Sequence, residues 1–119
     1  PMSVPAHSAL MRPAAERFGE VLAVAPMQAP KFAYWSPVDG AAHATVSDIR
    51  QLLTRQLASP VRWTTLVRAL AAAGTTTFIE CGPGKVLTGL NRRIEKRPEV
   101  QCLALQDPAA VDAALSAQG

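Results

Sequence analysis

A chain of 119 residues with 49% apolar content holds one modest packed domain, or one piece of a larger one, and is too short for two. Alanine and leucine dominate the apolar count and aromatics reach only 5%, which disfavours a purely β architecture and points to helices packed through small faces with a few strands. Twelve basic against nine acidic residues leave a net charge of +3, a mild bias toward acidic partners and far from a polybasic tail.

The first predicted element is a helix over Ser8 to Ala25, because Met11, Ala14, Ala15, Phe18, Val21 and Leu22 recur at spacings of three and four. Ser8 is its expected N-cap, and Pro13 fits if the first turn lies close to it. Pro26 to Pro30 end that helix, and Lys31-Phe-Ala-Tyr-Trp35 reads as a short strand closed by Ser36, Pro37, Asp39 and Gly40. A second helix is expected from Thr45 to about Ser59, carried by Val46, Ile49, Leu52, Leu53 and Leu57. Pro60 is placed to open a third helix, with Val61, Leu66, Val67 and Leu70 buried and Gly74 as its C-terminal cap.

The β-branched and aromatic run Thr76 to Cys81 is the best strand, and Gly82-Pro83-Gly84 turns it into a helix of about Lys85 to Lys96. Val100 to Leu105 is a last strand, and Pro108 to Ala117 a last helix started by Asp107. The order α, β, α, α, β, α, β, α implies a mostly parallel sheet covered by helices. Three short strands are narrow for an independent α/β domain, so the chain reads as the C-terminal portion of a wider sheet. Cys81 and Cys102 have no metal-spaced partners and are expected to be reduced and buried, which fits a cytoplasmic setting. No apolar run approaches the roughly 18 residues of a membrane span, and no signal peptide is visible, so no membrane partner is expected.

Two histidines are available for chemistry. His7 stands just ahead of a helix with Pro5 restricting the backbone before it, so its ring would project from a stiff turn, whereas His43 lies in a loop and reads as solvated. The segment Glu80-Cys-Gly-Pro-Gly-Lys85 has the strand, turn and helix order of a phosphate loop but lacks its spacing, so a tight turn is the better reading. Arg92, Arg93, Lys96 and Arg97 form a basic cluster at a helix end, suited to the helix dipole or to docking an acidic protein; no aromatics are interleaved, so nucleic acid is not an expected partner. There is no G-x-S-x-G elbow, no H-E-x-x-H and no G-x-G-x-x-G, which leaves a candidate base without a nucleophile.

Three stretches together carry a resemblance: Ser3-Val-Pro-Ala-His7-Ser-Ala-Leu-Met11, Arg55-Gln56-Leu57 with Pro60-Val61-Arg62-Trp63, and Glu80-Cys-Gly-Pro-Gly-Lys-Val-Leu-Thr-Gly-Leu90. In order and spacing they resemble the C-terminal part of the malonyl-CoA:acyl carrier protein transacylases. The resemblance implies the C-terminal portion of an α/β-hydrolase-like core, with residues 1–119 in the large subdomain and the small ferredoxin-like subdomain largely absent. It implies ping-pong malonyl transfer from coenzyme A to the phosphopantetheine thiol of acyl carrier protein in fatty acid biosynthesis. His7 would be the general acid/base, and the main-chain carbonyl of Gln56 would hold its other ring nitrogen. Arg92 and Arg93 would dock the carrier protein. The serine nucleophile, the malonate-binding arginine and the oxyanion donors would belong to an upstream part of the same enzyme, so the chain alone is expected to be inactive. Coenzyme A thioester and phosphopantetheine enter as substrates; no metal or bound cofactor is implied. Cys81 stands where a small aliphatic residue is usual, a neutral packing change. A non-catalytic carrier-protein-binding module, or the malonyl transferase of a malonate decarboxylase system, are the alternative readings.

Overall fold

The computed structural model describes residues 4–118, so Ser3, the first residue of one quoted motif, lies outside the described residues. The chain divides between Leu66 and Val67 into two compact units. No helix among the described residues is long and apolar enough to cross a membrane.

In the first unit, a 3-10 turn at Ala9–Met11 leads into α1 (Arg12–Val24). Pro13 sits in the first turn of α1, where the missing N–H leaves no bond unmade. Ser8 makes no capping bond through its side chain, contrary to expectation; its hydroxyl donates to the Pro5 carbonyl at 2.7 Å instead. Ala15 and Leu22 are buried while Val21 is 63% exposed, so the apolar stripe is narrower than its spacing implied. α1 packs on α2 (Val46–Leu57), and a Cβ at Gly19 would come within 3.1 Å of the Thr54 side chain. A residue as small as glycine therefore lets the two helices approach closely here. Thr45 caps α2 by accepting from the Asp48 amide at 3.1 Å, and Ile49 and Leu52 bury its inner face.

The expected strand at Lys31–Trp35 shrinks to β1 (Tyr34–Trp35), which pairs antiparallel with β2 (Ala42–His43), a strand the sequence pattern did not reveal. The connecting turn is held by its own polar groups. Ser36 and Gly40 amides donate to the Ala41 and Ser36 carbonyls, the Ala41 amide donates to Asp39 Oδ1 at 3.1 Å, and Gly40 takes φ 73°. His43 is thus not solvated: its Nε2 lies 3.0 Å from Asp39 Oδ2, and its side chain is largely covered. Pro60 does not open the third helix, because α3 runs Trp63–Ala72 and Val61 is 39% exposed ahead of it.

After α3, Gly74 at φ 95° ends the helix as expected. Its amide bonds to the Ala71 carbonyl and the Thr75 amide to that of Leu70, the paired bonds of a Schellman cap. In the second unit, β3 (Thr77–Cys81) and β4 (Gln101–Leu105) pair in parallel with Phe78 opposite Cys102. The crossover between them carries α4 (Val86–Ile94), and α5 (Pro108–Gln118) packs on β4 with Asp107 accepting from the Ala110 amide at 2.8 Å. The architecture is α/β with a small parallel sheet, but among the described residues that sheet has two strands and not three, since β1 belongs to a separate antiparallel pair. Cys102 is buried, and burial pushes its thiol up, whereas Cys81 at the strand end is exposed, against expectation.

The polar group that organises this unit is Glu80. Its carboxylate accepts from the Leu87 amide at 3.2 Å and the Thr88 amide at 2.7 Å, and the Thr88 hydroxyl lies 2.8 Å from it. That same hydroxyl is 3.1 Å from the Leu103 carbonyl, so β3, α4 and β4 meet at one buried threonine. The carboxyl is held below its ordinary 4.5, first by the Thr88 amide, against a smaller opposing effect of burial. A depressed folded value means the stabilisation is complete above the unfolded value and disappears as pH falls through the folded one. Glu80→Gln should therefore lower the thermal midpoint at pH 7, and the gap to the parent should close as pH drops below about 4.5. A gap that stays constant down to pH 3 would show that the charge is not what caps α4.

Candidate active site

The last four carbonyls of a helix have no partner within it. At the end of α2, the Ala58 amide donates to the Arg55 carbonyl, and the next two carbonyls are both taken by His7. The His7 ring Nδ1 lies 2.8 Å from the Gln56 carbonyl oxygen, and the His7 main-chain N–H donates to the Leu57 carbonyl at 3.0 Å. Histidine and acceptor are 49 residues apart in sequence.

His7 adopts φ 60°, the one non-glycine residue in the left-handed region among those described. That conformation costs on the order of 1–3 kcal/mol and persists only where the surroundings over-determine it. Here two bonds to α2 carbonyls and the Ser8 hydroxyl bond to Pro5 surround it, each contributing roughly 0.5–1.5 kcal/mol, which is enough to offset the strain. Histidine is also among the residues that enter this region most readily.

A carbonyl oxygen can only accept, so the bond to Gln56 requires the proton on Nδ1. Nε2 of the neutral ring is then the lone-pair nitrogen, and His7 is exposed rather than walled in. The carbonyl suits the ring in both protonation states, because Nδ1 carries its proton in each. This is the geometry of a general base with a fixed tautomer and orientation.

Arg92 and Arg93 lie in the second unit, in the last turn of α4. The Arg92 Nη2 donates to the Cys102 carbonyl at 2.9 Å, so this side chain braces α4 on β4; Arg92, Arg93 and Lys96 are all exposed. Arg97 is committed to Glu95 through two bonds of 3.0 and 3.1 Å and to the Ala71 carbonyl, leaving a basic surface smaller than the run of four cations implied. The α4 N-terminus is filled by Glu80, so the glycine turn presents no anion cradle. A groove of about 600 Å³ between α1 and α2, lined by Gly19, Ser47, Arg50 and Thr54, does not include His7. Among the described residues no three His, Cys, Asp or Glu side chains converge on a metal position. The contributions of the Leu57 carbonyl, the Ser8 hydroxyl and the Glu80–Thr88 contact have no sequence signature.

No family model matches the chain. The crystal structure of the malonyl-CoA:acyl carrier protein transacylase from Xanthomonas oryzae superposes with a TM-score of 0.90 at 45% identity, covering 98% of this chain and 36% of that one. A malonyl-transacylase solved in complex with a type II polyketide acyl carrier protein gives 0.90 at 39% identity, with 98% and 37% covered. The fold is that of the malonyl-transferring acyltransferases. In sequence, the malonyl-CoA-acyl carrier protein transacylase of Salmonella typhimurium is 44% identical over 116 residues, 98% of this chain and 37% of that protein. The chain belongs to the malonyl-CoA:acyl carrier protein transacylase family and corresponds to the C-terminal part of its members, spanning little more than a third of their length.

The tautomer can be read directly. In a long-range proton–nitrogen spectrum recorded with the ring neutral, His7 should show a protonated Nδ1 and an unprotonated Nε2; the reverse pattern would remove the Gln56 bond as the orienting contact.

Proposed function

We propose that these 119 residues carry the general acid/base of a malonyl-CoA:acyl carrier protein transacylase. The observation that supports this most is the His7 ring held by Nδ1 on the Gln56 carbonyl, with Nε2 open for proton transfer. The residues would form the C-terminal portion of an α/β-hydrolase-like core, in the large subdomain, with the ferredoxin-like subdomain built from other parts of the enzyme. The sequence holds no G-x-S-x-G elbow, and large apolar side chains such as Leu10, Phe32 and Val86 are 73–86% exposed, which fits packing against further chain.

In this reading a serine supplied by that further chain gives its proton to His7 Nε2 as its oxygen attacks the malonyl thioester carbon. The imidazolium, held on Gln56, then protonates the departing coenzyme A sulfur. In the second half, Nε2 takes the proton of the carrier's phosphopantetheine thiol, whose sulfur attacks the malonyl-serine ester, and the proton returns to the serine oxygen. The chemistry needs no metal or bound cofactor, only the two thiol substrates. Arg93 with Arg92 would meet the acidic carrier protein by charge complementarity, and a related malonyl-transacylase forms a complex with its own acyl carrier protein. The reaction would serve fatty acid biosynthesis in the cytoplasm.

In the full-length enzyme His7→Ala should lower malonyl transfer by about 10²–10⁴-fold, and the purified 119-residue chain should show none. Transfer by the isolated chain, or a full rate from the His7 variant, would refute the assignment. Replacing both Arg92 and Arg93 by Glu should raise KM for the carrier protein by about tenfold or more, an electrostatic loss of about 1.4 kcal/mol, while acyl-enzyme formation from malonyl-CoA is unchanged. An unaltered KM would place docking elsewhere.

A further inference from the structure

We infer that Ser8 is a positioning residue for His7, a role that rests on the acyl-transfer reading of His7. Ser8 lies in extended backbone, at φ −130° and ψ 165°, between the left-handed His7 and the 3-10 turn. The turn is closed by main chain alone, the Met11 amide donating to the Ser8 carbonyl at 3.0 Å, so the Ser8 hydroxyl is not used as a cap. It reaches backward across His7 to the Pro5 carbonyl at 2.7 Å. The Ala6 amide bonds to the Val4 carbonyl at 2.9 Å, and Pro5 has its φ set by its ring. Residues 4–8 thus form a closed loop on which the His7 side chain is mounted, tied by two side-chain bonds, one from the Ser8 hydroxyl and one from the His7 ring.

This arrangement gives Ser8 a specific task. The His7 amide and ring address two consecutive carbonyls of α2, and they do so with the backbone held at φ 60°. Removing the Ser8 hydroxyl would open the loop and let His7 relax toward negative φ, swinging Nε2 away from its proton-transfer line. Small displacements of a catalytic group are expensive in rate while leaving substrate binding intact.

The test uses the full-length enzyme with Ser8→Ala and Ser8→Thr, the latter keeping the hydroxyl and suiting extended backbone. Ser8→Ala should lower kcat by about tenfold with KM for malonyl-CoA unchanged, and Ser8→Thr should recover the parent rate to within about threefold. In a His7→Ala background, Ser8→Ala should have no further effect on residual transfer, which a merely structural role would not produce. A Ser8→Ala rate within twofold of the parent, a Thr variant as impaired as Ala, or an undiminished effect without His7 would each overturn the inference. A full rate from His7→Ala alone would instead refute the reading of His7 on which it rests.

Discussion

The site depends on one hydrogen bond, from the His7 ring to the main-chain carbonyl of Gln56. A helix end leaves carbonyls without donors, and an imidazole that is to move protons, as proposed for His7, needs a group to fix its tautomer; one contact satisfies both requirements. Because the acceptor is main chain, the side chain at residue 56 matters less than the place where α2 stops. The termination of α2 at Leu57, set by the Ala58 turn and the Ser59-Pro60 break, is therefore part of the site. So is the packing of α1 on α2, because the segment bearing His7 leads directly into α1 and Gly19 lets that helix lie close to Thr54.

The second unit uses the same principle at the opposite helix end. The N-terminus of α4 has unpaired amides, and Glu80 at the end of β3 turns back to fill them, with Thr88 joining β4 to the arrangement. The acidic group at the start of α4 and the basic residues at its end both follow its dipole. Within that basic end the cations have different duties: Arg92 braces the β4 backbone, Arg97 is consumed by Glu95, and Arg93 and Lys96 face solvent. A run of four positive residues in sequence is thus two uncommitted ones at the surface.

Where expectation and structure part, the cause is in each case a contact that local pattern does not encode. Lys31 to Trp35 has strand composition, yet only the two residues that find a partner in Ala42–His43 pair, and that partner has neither alternation nor β-branched residues to mark it. His43 was expected in solvent because nothing adjacent supports it, but a turn centred on Asp39 and Gly40 brings a carboxylate to its ring. Cys81 closes an apolar run expected to be buried and is nonetheless exposed, on the same strand face as the exposed Ile79.

The sequence by itself determined the elements whose signals are local: α2 with its Thr45 cap, the Gly74 stop, the strands Thr77–Cys81 and Gln101–Leu105, and the α/β class. Its longer motifs also carried the family and, through it, attention to His7 and Gln56. Only the tertiary structure decided that the His7 ring and amide both reach α2, that Ser8 turns back to Pro5 and does not cap, and that Arg92 is a brace. The physical reason is range. Caps, stops and strand propensities act within a few residues, whereas the bond that orients His7 spans 49 residues and ends on a carbonyl that every amino acid possesses.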